Sequence, residues 1–315
     1  MNVAAIDCGT NTVRLLVASA GPDGRLVESC RLVEFAMLGR GVDATKRLRD
    51  DTIACALDIV GRYAAVIADH ECAAVRFVAT SAARDAANRD ELLDGVRAAL
   101  GPRAAVDVIS GEEESRLSFT GATSGVARAV DPVLVMDSGG GSTELVRGHT
   151  DGRVEQAASV QAGSRRMRDR FLRDDPPTEA QITRARAAVR AALGAAAIDL
   201  EMVRTFIGVA GTVTTMAALA LGLPRYDRSV VHGARLGLDE VGTVADRLLS
   251  LSVAQIAALG PVEPQRAEVL AAGALVVDEI AQHVRATTLV VSEADILDGV
   301  ALGLLARGAA GHAPS

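Results

Sequence analysis

Tryptophan is absent from this 315-residue sequence, and aromatic residues make up only 2% of it. The formal net charge is −7. A general nucleic-acid binder needs basic faces and stacking rings, so the composition argues against that class; if the ligand is a polyanion, its attraction has to be local and metal-assisted. Cysteine is scarce. Cys8, Cys30, Cys55 and Cys72 are widely spaced and form no C-x-x-C pair, so they read as reduced core residues, neither zinc ligands nor bridges. No uninterrupted apolar segment approaches the roughly 18–20 residues that span a bilayer, and no charged leader with an apolar run opens the chain. The expectation is a soluble, cytoplasmic protein with no membrane partner. What the chain has in quantity is apolar residues, 49%, enough for two domains of ordinary size that each bury a core.

The most informative stretch is Val133–Arg147, VLVMDSGGGSTELVR. A strand-forming run stops at Asp137, three glycines and a serine follow, and an alternating run leaves from Thr143 to Val146. Consecutive glycines let backbone N–H groups converge on an anion, and Ser142 adds a hydroxyl. Asp137 needs a divalent cation or a polarised water between itself and a phosphate. Val3–Val17, VAAIDCGTNTVRLLV, repeats the pattern at a constant spacing of 130 residues. Asp7 matches Asp137, Gly9 matches Gly139, Thr12 matches Ser142 and Leu15 matches Leu145. Two copies in one register suggest duplicated domains that face each other across a cleft.

The pair AAIDCGTNT and MDSGGGSTE resembles the two phosphate loops of the actin-like ATPase superfold. Within it, ATSAARDA (Ala79–Ala86) and ISGEEESRLSF (Ile109–Phe119) resemble the exopolyphosphatase and guanosine pentaphosphate phosphohydrolase family, with matching stretches from Val3 to about Leu305. The resemblance implies an α/β fold of two ribonuclease H-like domains with an interdomain cleft. The first spans 1–128, joined by the C-terminal helix at about 295–308; the second spans 129–294, and the tail from Arg307 to Ser315 frays. It also implies hydrolysis of the terminal phosphoryl group of inorganic polyphosphate by base-activated water, with Mg2+ as cofactor. The alternatives are the 5′-phosphohydrolase acting on guanosine pentaphosphate, or a non-hydrolysing sensor of guanosine tetraphosphate or polyphosphate. A homodimer is compatible with any of these.

Three further stretches carry candidates. Arg84 sits where a strand gives way to a helix, a place that favours anions, and the matching arginine in the family contacts substrate phosphate. Glu112, Glu113 and Glu114 open a helix after Ser110, which charge alone explains by the macrodipole and a serine cap. Alignment on Ile-Ser-Gly places Glu114 on the family's catalytic base, and Glu112 and Glu113 would then be solvated or would raise its pKa by like-charge proximity; the catalytic set the resemblance implies is Glu114, Arg84 and Asp137. Gly211-Thr212, between the Phe206–Val209 strand and a helix at Met216–Leu221, is the superfold's third phosphate or nucleotide contact. The phosphate-binding set is therefore Gly9, Thr10, Asn11, Thr12, Gly139, Gly140, Gly141, Ser142, Gly211 and Thr212. Glu144 shares a side with Ser142 by strand alternation, which gives Asp7, Asp137 and Glu144 as metal candidates, with oxygen ligands that favour magnesium.

The Arg165–Arg173 window holds five arginines in nine residues and suits either the mouth of a polyphosphate channel or a solvated helix face. His232 has no histidine partner and reads as structural. Two departures from the family stand out. Ser138 replaces an apolar residue before the triple glycine, and Ile296-Leu297-Asp298-Gly299 lacks the usual arginine. Longer relatives continue into a further helical domain, so a shortened channel is expected.

Overall fold

The computed structural model describes residues 1–22 and 24–310. Met1–Gly121 together with the chain from Ile296 form one compact unit, and Ala122–Asp295 form the other. The division falls inside the Gly111–Gly125 helix, whereas the sequence places it near Arg128. The expected frayed tail begins at Arg307, but helix continues to Ala310; the rest of that tail lies outside the described residues.

The first unit is built on strands β1 (Val3–Cys8), β2 (Thr12–Ala20), β3 (Leu26–Phe35), β4 (Ala74–Ala79) and β5 (Ala104–Val108), ordered β3-β2-β1-β4-β5. β1, β2 and β3 are antiparallel neighbours, while β4 and β5 run parallel to β1. β1 is apolar at nearly every position because both sheet faces are covered. Ala4, Ile6 and Cys8 join the core over the Asp50–Asp69 helix, while Val3 and Ala5 face Ile296, Leu297, Val300 and Ala301 of the Ile296–Ala310 helix. Fully burying one such aliphatic side chain is worth about 1.5–3 kcal/mol.

The second unit holds β6 (Val133–Ser138), β7 (Thr143–Gly148), β8 (Val154–Val160), β9 (Thr205–Val209), β10 (Arg235–Gly237) and β11 (Thr288–Val291). Read from β8, their order is β8-β7-β6-β9-β11-β10. Three antiparallel strands again adjoin parallel ones, and β10 is an addition that pairs antiparallel to β11. The duplication is exact in register. β1 pairs with β2 from Val3↔Ala18 to Cys8↔Val13, and β6 with β7 from Val133↔Gly148 to Ser138↔Thr143. The repeat led to the expectation of duplicated domains, and the two-domain α/β, ribonuclease H-like architecture is the one implied by the resemblance.

β8 and β10 escaped the sequence reading: β10 is very short, and β8 (Val-Glu-Gln-Ala-Ala-Ser-Val) has adjacent polar and adjacent small residues in place of a clean alternation. The sequence predicts one helix following Thr80–Arg84 and running to about Leu100, but the chain forms two, Ser81–Asp85 and Arg89–Leu100. Asn88 breaks the run by turning its amide to Leu48: its Oδ1 accepts from the Leu48 N–H (2.8 Å) and its Nδ2 donates to the Leu48 carbonyl (3.1 Å). The four cysteines are free, but Cys55 is exposed, not a core residue, and packs its Sγ against the Phe35 carbonyl. No helix among the described residues is long and apolar enough to cross a membrane.

Candidate functional site

The two glycine hairpins close in the same way. The Gly9 N–H donates to the Thr12 carbonyl (2.9 Å), and the Gly139 N–H to that of Ser142 (3.0 Å). Each loop is then drawn back by its carbonyls. In the second unit, Ser164 N–H donates to Gly139 (2.9 Å), and Arg165 and Arg166 N–H both donate to Gly140 (2.8 and 3.1 Å). In the first, Gly39 N–H donates to Thr10 (2.7 Å), while Ala36 and Met37 N–H donate to Asn11 (3.0 and 2.9 Å). A peptide unit is planar and trans, so a carbonyl held on one side sends the following N–H to the other. The N–H groups of Gly140 and Gly141 therefore face away from the supporting helix, as an anion cradle requires.

This accounts for the arginine-rich window. The Ser164–Arg170 helix has no side-chain cap; its first N–H groups are satisfied by the glycine loop itself. Arg165 and Arg166 are buried (3% and 6% exposed), so the front of the window is neither a channel rim nor a solvated face. Arg166 Nε donates to the Gly141 carbonyl (2.7 Å), and Arg165 Nη2 to Glu268 (2.9 Å). Only the rear of the window, Arg170 and Arg173, is exposed. Gly163 is required by contact: a Cβ there would lie 2.5 Å from the Gly140 and Gly141 backbone.

Beside the loop, Asp137 and Glu144 are direct register partners on β6 and β7 and share a face. Both are buried, and Glu144 Oε1 accepts from Ser142 Oγ (2.7 Å) and from Ser159 Oγ (2.8 Å). In the first unit the position equivalent to Glu144 is Arg14. Its Nε and Nη2 both donate to Asp7 Oδ2 (3.0 and 2.6 Å), so a cation already lies against Asp7. The charge at the matching position is inverted between the units. Arg14 escaped the sequence reading, although the spacing of 130 that pairs it with Glu144 was there to find it.

No group of three or more His, Cys, Asp or Glu side chains is placed to hold a metal among the described residues. Asp137 and Glu144, two oxygen-donor side chains on one face beside the glycine loop, fit a magnesium ion, which takes one or two carboxylates and leaves its other positions to water and phosphate. Asp7 is committed to Arg14 at one oxygen and fits that role less well.

Arg84 and Glu114 come together. Arg84 Nη1 donates to Glu114 Oε2 (2.8 Å) and to the Ile109 carbonyl (2.9 Å), and Glu114 is 8% exposed. The neighbouring carboxylates have arginines of their own: Glu112 pairs with Arg116 (2.8 Å) and Glu113 with Arg76 (2.5 Å). Ser110 Oγ caps the helix by accepting from the Glu113 N–H. Of the three glutamates, Glu114 is the buried one.

Gly211 and Thr212 lie in the first turn of the Ala210–Ala220 helix, which starts well before the expected Met216 and carries no side-chain cap. Ala210 holds φ 73°, a left-handed conformation that costs a non-glycine residue of order 1 kcal/mol. The Arg266 guanidinium lies over Gly211, with atoms 2.1–2.4 Å from where a Cβ would sit. Arg266 is thus a second basic group that the sequence reading passed over. His232, read from the sequence as structural, accepts at Nδ1 from the Glu293 N–H (3.1 Å). Burial pushes the Tyr226 phenol well above its ordinary range, with Glu293, its hydrogen-bond partner, adding to the shift.

Comparison with known proteins follows the same lines. Residues 30–307 match the Ppx/GppA phosphatase family. "Exopolyphosphatase 2" of Mycobacterium tuberculosis is 43% identical over 315 residues, covering 96% of this chain and 98% of that protein. A crystal structure of an exopolyphosphatase-like protein aligns with TM-score 0.91 at 40% identity, over 98% of this chain and 99% of the other. The Aquifex aeolicus Ppx/GppA family member aligns with TM-score 0.81 at 28% identity, over 100% and 99%.

Proposed function

The chain belongs to the Ppx/GppA phosphatase family, and from that premise we propose that it is an exopolyphosphatase, releasing orthophosphate from the end of inorganic polyphosphate by attack of a base-activated water. The observation that carries the reading is the Arg84–Glu114 pair, a part-buried guanidinium and a buried carboxylate held 2.8 Å apart. The name of the 43%-identical relative supports polyphosphate as the substrate.

In the free protein the guanidinium and the carboxylate satisfy each other. A terminal phosphoryl group competes for Arg84, and as the guanidinium turns to phosphate, Glu114 is released to accept a proton from water. The bond formed is water oxygen to terminal phosphorus; the bond broken is the anhydride P–O, whose oxygen leaves on the shortened chain. Within the first unit the N–H groups of the Gly9–Thr12 loop are donors suited to non-bridging oxygens and Arg14 adds positive charge; within the second, the Gly139–Ser142 loop and the Gly211–Thr212 turn offer such donors beside Arg266. Asp137 and Glu144 would hold magnesium, which when bound offsets the charge of the phosphates. Positioning and charge stabilisation supply most of the rate.

The test is phosphate release from polyphosphates of several lengths and from guanosine pentaphosphate, with magnesium or with chelator. Release from polyphosphate that chelator abolishes supports the reading. Turnover confined to guanosine pentaphosphate replaces the substrate, and binding without turnover of either makes the protein a sensor. Glu114→Gln should lower turnover by about 10²–10⁴ with binding nearly intact; full retained activity removes Glu114 from the mechanism.

A further inference from the structure

Glu144 is 1% exposed, and two hydroxyls on different elements converge on its Oε1: Ser142 of the glycine loop at 2.7 Å and Ser159 of β8 at 2.8 Å. A serine hydroxyl carries one hydrogen. While Ser142 donates it to Glu144, only lone pairs of that oxygen remain to meet a phosphate, and those repel it. Ser142 can serve as a phosphate donor only by turning its hydrogen from Glu144 to the ligand. That move strips a buried carboxylate of a donor, which is costly unless another donor stays behind.

Ser159 is placed to be that donor. It sits directly across from Glu144 in the β7–β8 register, on the strand beyond the phosphate loop, and its hydroxyl is engaged with Glu144 alone among the bonds seen. We propose that Ser159 is a positioning residue: it keeps Glu144 solvated and fixed when Ser142 swings its hydrogen to an incoming phosphate. The inference rests on the reading of Gly139–Ser142 as a phosphate loop, and it adds a residue outside every motif in the sequence.

The experiment measures orthophosphate binding by calorimetry, with and without magnesium, and polyphosphate kcat and KM, for wild type, Ser159→Ala, Ser159→Thr, Ser142→Ala and the double alanine variant. Ser159→Ala is expected to weaken orthophosphate binding and kcat/KM by roughly tenfold, the worth of one hydrogen bond to a charged group. Ser159→Thr, which keeps the hydroxyl and suits a strand, is expected to restore affinity to within about threefold. In the Ser142→Ala background no hydrogen can swing, so adding Ser159→Ala should leave phosphate affinity unchanged; a purely structural serine would show no such dependence. Unaltered affinity in Ser159→Ala, failure of threonine to rescue, or equal losses in both backgrounds would each overturn the proposal. Wild-type protein that binds neither orthophosphate nor polyphosphate would instead overturn the reading of the loop.

Discussion

Arg84 carries two obligations, and its removal separates them. Arg84→Met leaves Glu114 without its arginine in a site where that carboxylate is 8% exposed. Breaking a fully buried pair costs about 3–5 kcal/mol; the Arg84 side chain is 23% exposed, so about 1–3 kcal/mol is expected here. Urea unfolding measures that loss, and the KM for polyphosphate should rise in the same variant. Arg84→Lys keeps the charge and should recover most of the stability but less of the KM, since lysine lacks the planar fork that can stay on the Ile109 carbonyl while turning to a phosphate. Ser138 is the opposite case. It is 2% exposed, and its Oγ makes no hydrogen bond among the described residues. Ser138→Ala should therefore be neutral or stabilising by up to about 1 kcal/mol in the same assay. A loss larger than that would show that the hydroxyl has a partner worth keeping.

At the scale of elements, what could be read in advance was whatever a short window encodes. The Asp137 and Asp7 hairpins were legible because alternation and glycine are local signals, and their repetition at one spacing fixed the register of both. The Ser164–Arg170 helix was not legible. The arginine-rich composition suits a wet face, and the burial of Arg165 and Arg166 depends on the triple glycine and on Glu268, 103 residues from Arg165. Arg186 and Arg190 on the Glu179–Ala196 helix were missed in the same way. Arg186 Nη1 donates to Asp278 (2.6 Å) and Glu279 (3.3 Å), and Arg190 Nη1 to Glu279 (3.0 Å), from a helix some 90 positions away in sequence. Asp278 and Glu279 are 3% and 1% exposed, so Arg186→Met leaves Asp278 without its arginine deep in the second unit. The Arg186 side chain is 19% exposed, so about 1–3 kcal/mol of destabilisation is expected, visible as a lowered melting temperature; an unchanged melting temperature would mean that Gln282, which also donates to Asp278 (3.1 Å), is sufficient alone.

For the whole molecule the titrating groups set a stability window in pH. Several carboxylates near the surface lie below their ordinary range: Asp131 through the Thr150 N–H, Glu155 through His149, Asp199 through Arg147, and Asp51 through Arg49. A depressed carboxylate contributes stability above its unfolded pKa and loses it as pH falls through the folded value, so the acid limb should open below about pH 4. Asp169 works against this limb: burial raises it, so protonation relieves rather than removes stability there. At the other end, burial pushes the Cys8 thiol and the Tyr63 phenol far above their ordinary values. Their protonated forms are favoured by the fold, so that stability is complete below the unfolded pKa and is lost as pH rises past about 8.5 for the thiol and about 10 for the phenol. Melting temperature against pH should therefore show a plateau from about pH 5 to 8 with a fall on each side. The two limbs are separable by salt and by mutation. Ion-paired surface carboxylates are screened, so the acid limb should flatten at high ionic strength, whereas the alkaline limb reports burial and should not. Cys8→Ala is expected to move the alkaline onset up toward that of tyrosine without touching the acid limb. An onset that stays near pH 8.5 in that variant would assign the loss to a group other than the buried thiol beside Asp7.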